Sequence, residues 1–265
     1  MAMRQHMTPI RTSRTDLIDV VGTGGDGSGT FNISTAAAIV TAAAGVPVAK
    51  HGSIAATSHS GAADVLAELG VNIHAPVPVV EACLEELGLC FCFAPLLHQA
   101  MRHVAPIRKK LGTPTVFNIL GPLANPAGAS RQLLGVGQAK LLPLMADVLA
   151  RLGIRRALVV HGDDGLDEVT LGDRTQVIEV AEKTQRTLCW TPEDFGLERV
   201  PIEALRIDGP EQSAQRIRSI LQGKPGPGAS VVIANAAAAL WMAQRADALG
   251  PCVAMAAEAI RSGAA

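Results

Sequence analysis

The stretch LIDVVGTGGDGSGTFNISTAAAIVTAAAG, residues 17–45, decides the fold class of this chain. It begins with a short apolar run, continues through a loop rich in glycine and hydroxyl side chains, and ends in an alanine-rich segment closed by Gly45. This order is typical of a strand, a turn and a helix. The same alternation recurs in VPVAKHG, SGAADVLAELG, LCFCFA and RRALVVHG. We therefore predict an α/β fold with a central mixed, largely parallel sheet that is covered by helices.

The composition restricts the class of protein. The chain has 265 residues, of which 48% are hydrophobic and 18% charged, and its formal net charge is -1. This balance predicts a sizeable core and no nucleic-acid partner. No segment approaches the roughly 18 apolar residues of a membrane helix, and the start, MAMRQHM, lacks the apolar core of a signal peptide. We therefore expect a cytoplasmic protein without a membrane partner, whose cysteines, none in a CxxC spacing, are reduced.

The glycine loop matches two phosphate-binding patterns only in part. Gly22 to Gly27 satisfies G-x-G-x-x-G between a strand and a helix, as a dinucleotide site would. Such a site also needs an acidic residue at the tip of the next strand, but that strand ends in Lys50. A Walker A loop is excluded because no Gly-Lys-Ser/Thr closes the motif. The loop amides and the following helix N-terminus nevertheless favour an anion, and a lysine suits a phosphate.

Polar side chains surround this loop. Thr30, Asn32, Ser34 and Thr35 can all hydrogen-bond at the mouth of the helix. Asp26 would repel a phosphate, so we expect it to face an amine, a hydroxyl group or a metal ion.

Two further clusters follow predicted strands. Asp167 and Glu168, in VHGDDGLDEVTL, can offer oxygen ligands to a Mg²⁺ ion that keeps most of its waters. An acidic pair in a turn is more often a solvated surface feature, so this prediction requires the pair to lie opposite the glycine loop. The second cluster is Lys50 and His51, which could bind phosphate and a polar ligand in the same crevice, although such a pair is more often incidental.

Four motifs together carry a family resemblance: GTGGDGSGTFNIST, VAKHG, HQAMRHVAPIRKKLGTPTVFNILGPLANP and HGDDGLDE. In this order they resemble the anthranilate phosphoribosyltransferase family, whose members join anthranilate to phosphoribosyl pyrophosphate. The resemblance implies a large α/β domain, a small helical domain and an active site between them. It also implies a homodimer.

The resemblance divides the chain into a catalytic domain, residues 19–265, and a remnant of an N-terminal helical segment, residues 1–18. Residues 98–112 would contribute to the small helical subdomain. The family has several helices before the glycine loop, and we expect their absence to leave an apolar patch uncovered near residues 98–112.

The resemblance also implies ligand contacts and no covalent nucleophile. The residues that would bind phosphoribosyl pyrophosphate are Gly22, Gly25, Asp26, Thr30, Asn32, Ser34, Thr35, Lys50, Thr57 and Ser58. The magnesium ligands would be Ser34, Asp167 and Glu168, with two ions usual in the family. The anthranilate path would be lined by Gly22, His51, His98, Arg108 and Pro122, with Arg108 as the carboxylate clamp.

One loop departs from the family pattern. Ser53 and Ile54 stand where the family commonly has Asn and Arg, and Ala62 replaces a serine. These changes remove an amide, a positive charge and a hydroxyl group. They leave open a phosphoribosyltransferase with a different aromatic acceptor. The expected absence of the N-terminal helices leaves open a second alternative, a non-catalytic protein that binds phosphoribosyl pyrophosphate.

Overall fold

The computed structural model describes residues 2–55, 60–104, 107, 110–111 and 115–265. Its central feature is a seven-stranded sheet with the order β3-β2-β1-β4-β5-β6-β7. The strands are β1 (Ile18–Gly22), β2 (Val48–Gly52), β3 (Leu89–Phe93), β4 (Arg131–Gly135), β5 (Arg156–Gly162), β6 (Thr175–Ala181) and β7 (Thr184–Trp190).

Helices occupy most of the connections between strands. The α-helices are α1 (Ala2–Gln5), α2 (Ile33–Ala43), α3 (Ala62–Glu68), α4 (Val77–Leu87), α5 (Ala94–Leu97), α6 (Phe117–Leu120), α7 (Leu141–Arg151), α8 (Pro210–Leu221), α9 (Pro227–Met242) and α10 (Leu249–Arg261). Short 3-10 helices cover Gln99–His103, Gly121–Leu123, Pro192–Phe195 and Ile202–Leu205. None of the helices in the described ranges is long and apolar enough to cross a membrane.

The parallel part of the sheet places four strand ends together. Strand β1 pairs in parallel with β2 and β4, and β4 pairs in parallel with β5. Each of these four strands ends in glycine, at Gly22, Gly52, Gly135 and Gly162. Because parallel strands share a direction, the loops that follow them gather at one edge of the sheet. This edge receives the glycine loop and the acidic pair.

The other end of the sheet is antiparallel. Strands β5, β6 and β7 form a meander, and β7 is the edge strand. On β6, Glu179 is buried and pairs with Arg156 of β5 and Arg186 of β7, each at 2.7 Å between nitrogen and oxygen. The sheet is therefore mixed and mainly parallel, which confirms the predicted fold class.

The core lies on both faces of the sheet. Helices α2, α9 and α10 pack together on one face, around buried side chains such as Val20 and Leu240. Helix α7 covers the other face, where Met145 packs with Leu134. Helix α9 is buried around nearly its whole circumference because its side chains are almost all apolar.

The segment 98–112, which the resemblance assigns to the small helical subdomain, is described only in part. It contains the 3-10 helix Gln99–His103 and two large apolar side chains, Ile107 and Leu111, that are 59% and 58% exposed. The division of the chain into a catalytic domain and a helical remnant stays a prediction.

Candidate active site

The glycine loop depends on a backbone conformation that side chains disfavour. Gly24, Gly25, Gly27 and Gly29 all have positive φ, between 66° and 78°. Residues with a Cβ rarely adopt this conformation, so glycine is required for the loop to fold this way. The loop starts from a hydrogen bond in which the Thr23 amide donates to the Gly135 carbonyl, at 2.9 Å.

The acidic pair meets this loop. The Gly24 amide donates to Oδ2 of Asp167 at 2.8 Å, across 143 positions of sequence. The Ser34 amide, at the start of α2, donates to Oε1 of Glu168 at 3.1 Å. A Cβ on Gly22 would lie 2.5 Å from Asp167 Oδ2, so the strand end must be glycine to admit this carboxylate. The requirement that the acidic pair lie opposite the glycine loop is met.

Burial makes this pair of carboxylates costly to ionise. Desolvation raises the pKa of Asp167 well above its ordinary value, and the Asp26 carboxylate raises it further. Desolvation also raises the pKa of Glu168, to about 7, against the lowering effect of Lys50. In the described part of the chain, no lysine or arginine forms an ion pair with either carboxylate. The site therefore concentrates negative charge with little compensation.

Lys50 lies beneath this charge. Its Nζ donates to the Val20 carbonyl at 2.7 Å and to the Ser34 hydroxyl at 3.1 Å. Burial lowers the pKa of Lys50, while Asp19 and the acidic pair act in the opposite direction. The lysine thus orients the Ser34 hydroxyl without forming a close ion pair.

The residues at this site suit a magnesium ion. Carboxylate and hydroxyl oxygens are hard ligands, and a divalent cation would hold Asp167 and Glu168 ionised despite their burial. Among the described residues, no group of three His, Cys, Asp or Glu side chains is arranged to hold a metal. The protein would therefore supply few ligands, and water and phosphate oxygens would complete the shell, as Mg²⁺ commonly accepts.

Two histidines form a second group beside the first. His51, on β2, and His98, after α5, are both buried, and their Nε2 atoms lie 3.1 Å apart. Desolvation, followed by the neighbouring His98, lowers the pKa of His51 to about 3; desolvation also lowers the pKa of His98. A hydrogen bond between the two Nε2 atoms needs one ring to donate and the other to accept.

The segment of Pro122 lies against these histidines. Pro122 is buried in the 3-10 helix Gly121–Leu123, and the Gly121 backbone is hydrogen-bonded to the His51 ring. The Gln132 side-chain amide donates to the Pro122 carbonyl at 2.6 Å, and this hydrogen bond connects the segment to β4. His51, His98 and Pro122, predicted from resemblance to line one path, are therefore neighbours.

The remaining predicted residues have different surroundings. The Thr30 hydroxyl lies 3.2 Å from the Ser28 hydroxyl. The Thr30 backbone forms an isolated antiparallel β-bridge with Arg206. The Thr35 side chain is buried, and its hydroxyl has no hydrogen-bond partner among the described residues. Three predicted residues, Thr57, Ser58 and Arg108, lie outside the described residues.

Asn32 is held by two serines that the sequence analysis missed. The Ser60 hydroxyl donates to Oδ1 of Asn32 at 2.8 Å, and the Asn32 side-chain amide donates to the Ser60 carbonyl at 3.2 Å. The Asn32 backbone amide donates to the hydroxyl of Ser213 at 3.0 Å. Neither serine belongs to a recognisable motif, so only the fold reveals them.

The loop that departs from the family pattern is well anchored at both ends. The Asp64 carboxylate accepts from the Ala55 amide at 2.8 Å and from the Gly61 amide at 3.0 Å. The Ser53 carbonyl accepts a hydrogen bond from the Ala63 amide at 3.1 Å. The next residue, Ile54, is 54% exposed. Ile54 therefore presents an apolar side chain to solvent where the family pattern has a charge.

A glycine loop that faces an acidic pair, at the carboxyl edge of a parallel sheet, is typical of a cleft that binds phosphate groups. The family model described as "Glycosyl transferase family, a/b domain" matches residues 14–265. The chain belongs, within that class, to the anthranilate phosphoribosyltransferase family. The family and the transferase activity indicated by the four motifs are thereby confirmed.

Individual relatives support this assignment. The chain is 51% identical over 264 residues to the anthranilate phosphoribosyltransferase of Rhodopirellula baltica, covering 100% of this chain and 77% of the relative. It is 52% identical over 267 residues to that of Thermomicrobium roseum, covering 99% and 77%. The solved Thermus thermophilus enzyme has a TM-score of 0.93 at 49% identity, covering 99% and 78%. The Saccharomyces cerevisiae enzyme in complex with PRPP and Mg has a TM-score of 0.92 at 34% identity, covering 99% and 74%.

Proposed function

We propose that the chain transfers the phosphoribosyl group of phosphoribosyl pyrophosphate to the amine of anthranilate, releasing pyrophosphate. The observation that carries this proposal is the 2.8 Å hydrogen bond from the Gly24 amide to Asp167, which joins the phosphate loop and the acidic pair in one cleft. Its support from relatives is the sequence identity of about half over the whole chain and the PRPP and Mg in the yeast enzyme's structure.

The glycine loop would bind the departing pyrophosphate. Its amides and the N-terminus of α2 present fixed dipoles that stabilise negative charge as it develops in the transition state. We assign phosphate and ribose contacts to a set of residues that surround the loop: Gly22, Gly25, Asp26, Thr30, Asn32, Ser34, Thr35, Lys50, Thr57 and Ser58. Lys50 contributes a positive charge below this set.

Asp167, Glu168 and the Ser34 hydroxyl would hold magnesium, and we propose two ions. When bound, magnesium neutralises the charge of the pyrophosphate leaving group. The Gly24 and Ser34 amides fix the positions of the two carboxylates. The carboxylates would in turn fix the position of the magnesium ion beside the leaving group. This arrangement favours a diphosphate over a neutral ligand.

The acceptor would lie between the histidine pair and the Pro122 segment. Anthranilate's aromatic amine is largely neutral in water, so the chain must place it in line with the ribose more than it must deprotonate it. We assign Gly22, His51, His98, Arg108 and Pro122 to this path, with Arg108 as the carboxylate clamp. The neutral histidines offer hydrogen bonds without adding charge beside a cationic, oxocarbenium-like ribose.

An anthranilate fluorescence assay tests the proposal. We expect anthranilate fluorescence to fall when phosphoribosyl pyrophosphate and Mg²⁺ are both present, and to stay constant when either is omitted. The Asp167→Asn variant is the matched control, since it keeps the shape of the site and removes one charge. Constant fluorescence with the wild-type chain, beside an active enzyme of the same family, would refute the function.

A different aromatic acceptor is the second candidate, and Ile54 is the observation that favours it. Pyrophosphate release should then occur with another aromatic amine and not with anthranilate. Binding of phosphoribosyl pyrophosphate without release for any amine would instead indicate a non-catalytic binding protein.

We also propose a homodimer, supported by the family resemblance, and a cytoplasmic location, supported by the cysteine pattern of the sequence. Light scattering coupled to size-exclusion chromatography would give the mass of the particle. A mass near 27.4 kDa, that of one chain, would refute the dimer.

A further inference from the structure

Asp19 is a charged residue inside an apolar strand. It is the second residue of β1 and is fully buried. Its Oδ1 accepts a hydrogen bond from the His51 amide at 3.0 Å. Because burying a carboxylate is costly unless hydrogen bonds satisfy it, its remaining oxygen needs a donor as well.

Asn125 provides that donor and also contacts a second strand. Its Nδ2 donates to Oδ2 of Asp19 at 2.8 Å and to the Ala49 carbonyl at 2.8 Å. Its Oδ1 accepts from the Ala127 amide at 2.9 Å. One side chain thus ties the loop after Pro122 to both β1 and β2.

The segments held by this pair carry the acceptor side of the proposed site. His51 follows Ala49 on β2 and is held directly by Asp19, while Pro122 lies three residues before Asn125. The phosphate side has its own contacts, from Gly24 to Asp167 and from Ser34 to Glu168. These two contacts involve neither Asp19 nor Asn125.

We infer that Asp19 and Asn125 are positioning residues that set the distance between His51 and the Pro122 segment, and so control the affinity for the aromatic acceptor. This inference rests on the proposed function. It concerns two residues that touch neither substrate and act through the backbone of residues that do.

Steady-state kinetics of Asn125→Ala test this inference. This variant loses both hydrogen bonds that Asn125 donates, to the Asp19 carboxylate and to the Ala49 carbonyl. The free energy of one lost buried hydrogen bond, if it acts on binding, corresponds to about a tenfold change in affinity. We expect the KM for anthranilate to rise about tenfold and the KM for phosphoribosyl pyrophosphate to stay within about twofold. Asn125→Ser, which keeps one donor, should change the KM for anthranilate in the same direction by less.

Glu179→Gln is the matched control, because it alters a buried carboxylate network at the other end of the sheet. A merely structural role for Asn125 would make its variants resemble this control: lower Tm and no separation of the two KM values. Equal rises in both KM values, or unchanged values, in a folded Asn125 variant overturn this inference and leave the proposed function standing. Absence of turnover by the wild-type chain overturns the proposed function and this inference with it. If Asn125→Ala does not fold, Asn125→Ser decides by the same separation.

Discussion

Two acidic sites, one at the carboxyl edge of the parallel strands and one in the antiparallel part of the sheet, are neutralised in different ways. Glu179 is closed by two arginines, Arg156 and Arg186, each at 2.7 Å. Asp167 and Glu168 instead accept from backbone amides and form no ion pair with a lysine or arginine that the structure describes. Glu168 and Glu179 are both buried, so burial alone does not separate a structural carboxylate from a functional one.

The difference shows what to look for in a buried carboxylate. A pair of arginines compensates the carboxylate charge within the protein, so no negative charge is left for a bound cation to stabilise. Amides satisfy the oxygens as hydrogen-bond acceptors but leave the net charge of the pair, and a cation can then stabilise it. The following predictions test this distinction.

Neutralising the acidic pair should have the largest effect. We expect Asp167→Asn and Glu168→Gln each to lower kcat/KM by at least about a hundredfold, because each weakens the electrostatic stabilisation of the leaving group. Glu179→Gln should stay within about threefold of wild type. The kcat/KM values of the three variants are compared from initial rates at saturating Mg²⁺. An equal loss in all three would contradict the distinction between the two acidic sites.

Stability should show the opposite order. Glu179→Gln leaves two arginines without their carboxylate, and we expect the free energy of unfolding to fall by about 3 kcal/mol. Glu168→Gln removes a buried charge that Lys50 compensates only in part, so without metal we expect unfolding by urea at a higher midpoint than wild type. A lower midpoint for Glu168→Gln would mean that the wild-type carboxylate is already satisfied within the protein.

The pH dependence of stability should follow from the raised pKa of Glu168. Its pKa is about 7 in the folded chain, against 4.5 for the ordinary carboxyl group, so the folded state binds the proton more tightly. The free energy of unfolding of the metal-free chain should therefore fall as pH rises from about 4.5 to 7, by about 3 kcal/mol from this group. Subtracting the Glu168→Gln profile removes the contributions of groups that do not interact with Glu168. A difference that is flat across this range would contradict the assignment.

The smallest effect should come from crowding Asp167 without removing it. In Gly22→Ala, the new Cβ would lie 2.5 Å from Asp167 Oδ2, and the carboxylate must move. We expect the Mg²⁺ concentration for half-maximal rate to rise about tenfold, since displaced ligands bind the ion less well. Gly250→Ala, where a Cβ would meet nothing within 4 Å, is the control and should match wild type.

The sequence predicted more of the phosphate side than of the acceptor side. Glycine positions, the acidic pair and Lys50 lie in short local motifs, so their chemistry could be predicted from neighbouring residues. Asp19 was visible only as a charge in an apolar run, and Asn125 only as part of a loop motif. Their partnership, across 106 positions, depends on where two loops and two strands pack.

The sequence by itself determined the local conformations: the alternation of strands and helices, and the glycine loop whose positive φ values few other residues tolerate. Only the tertiary structure decided that this loop meets an acidic pair 143 residues away. The reason is the parallel register of β1, β4 and β5, which brings Gly22, Gly135 and Val160 side by side at one edge of the sheet. Strand pairing acts between distant segments, so no local pattern encodes it.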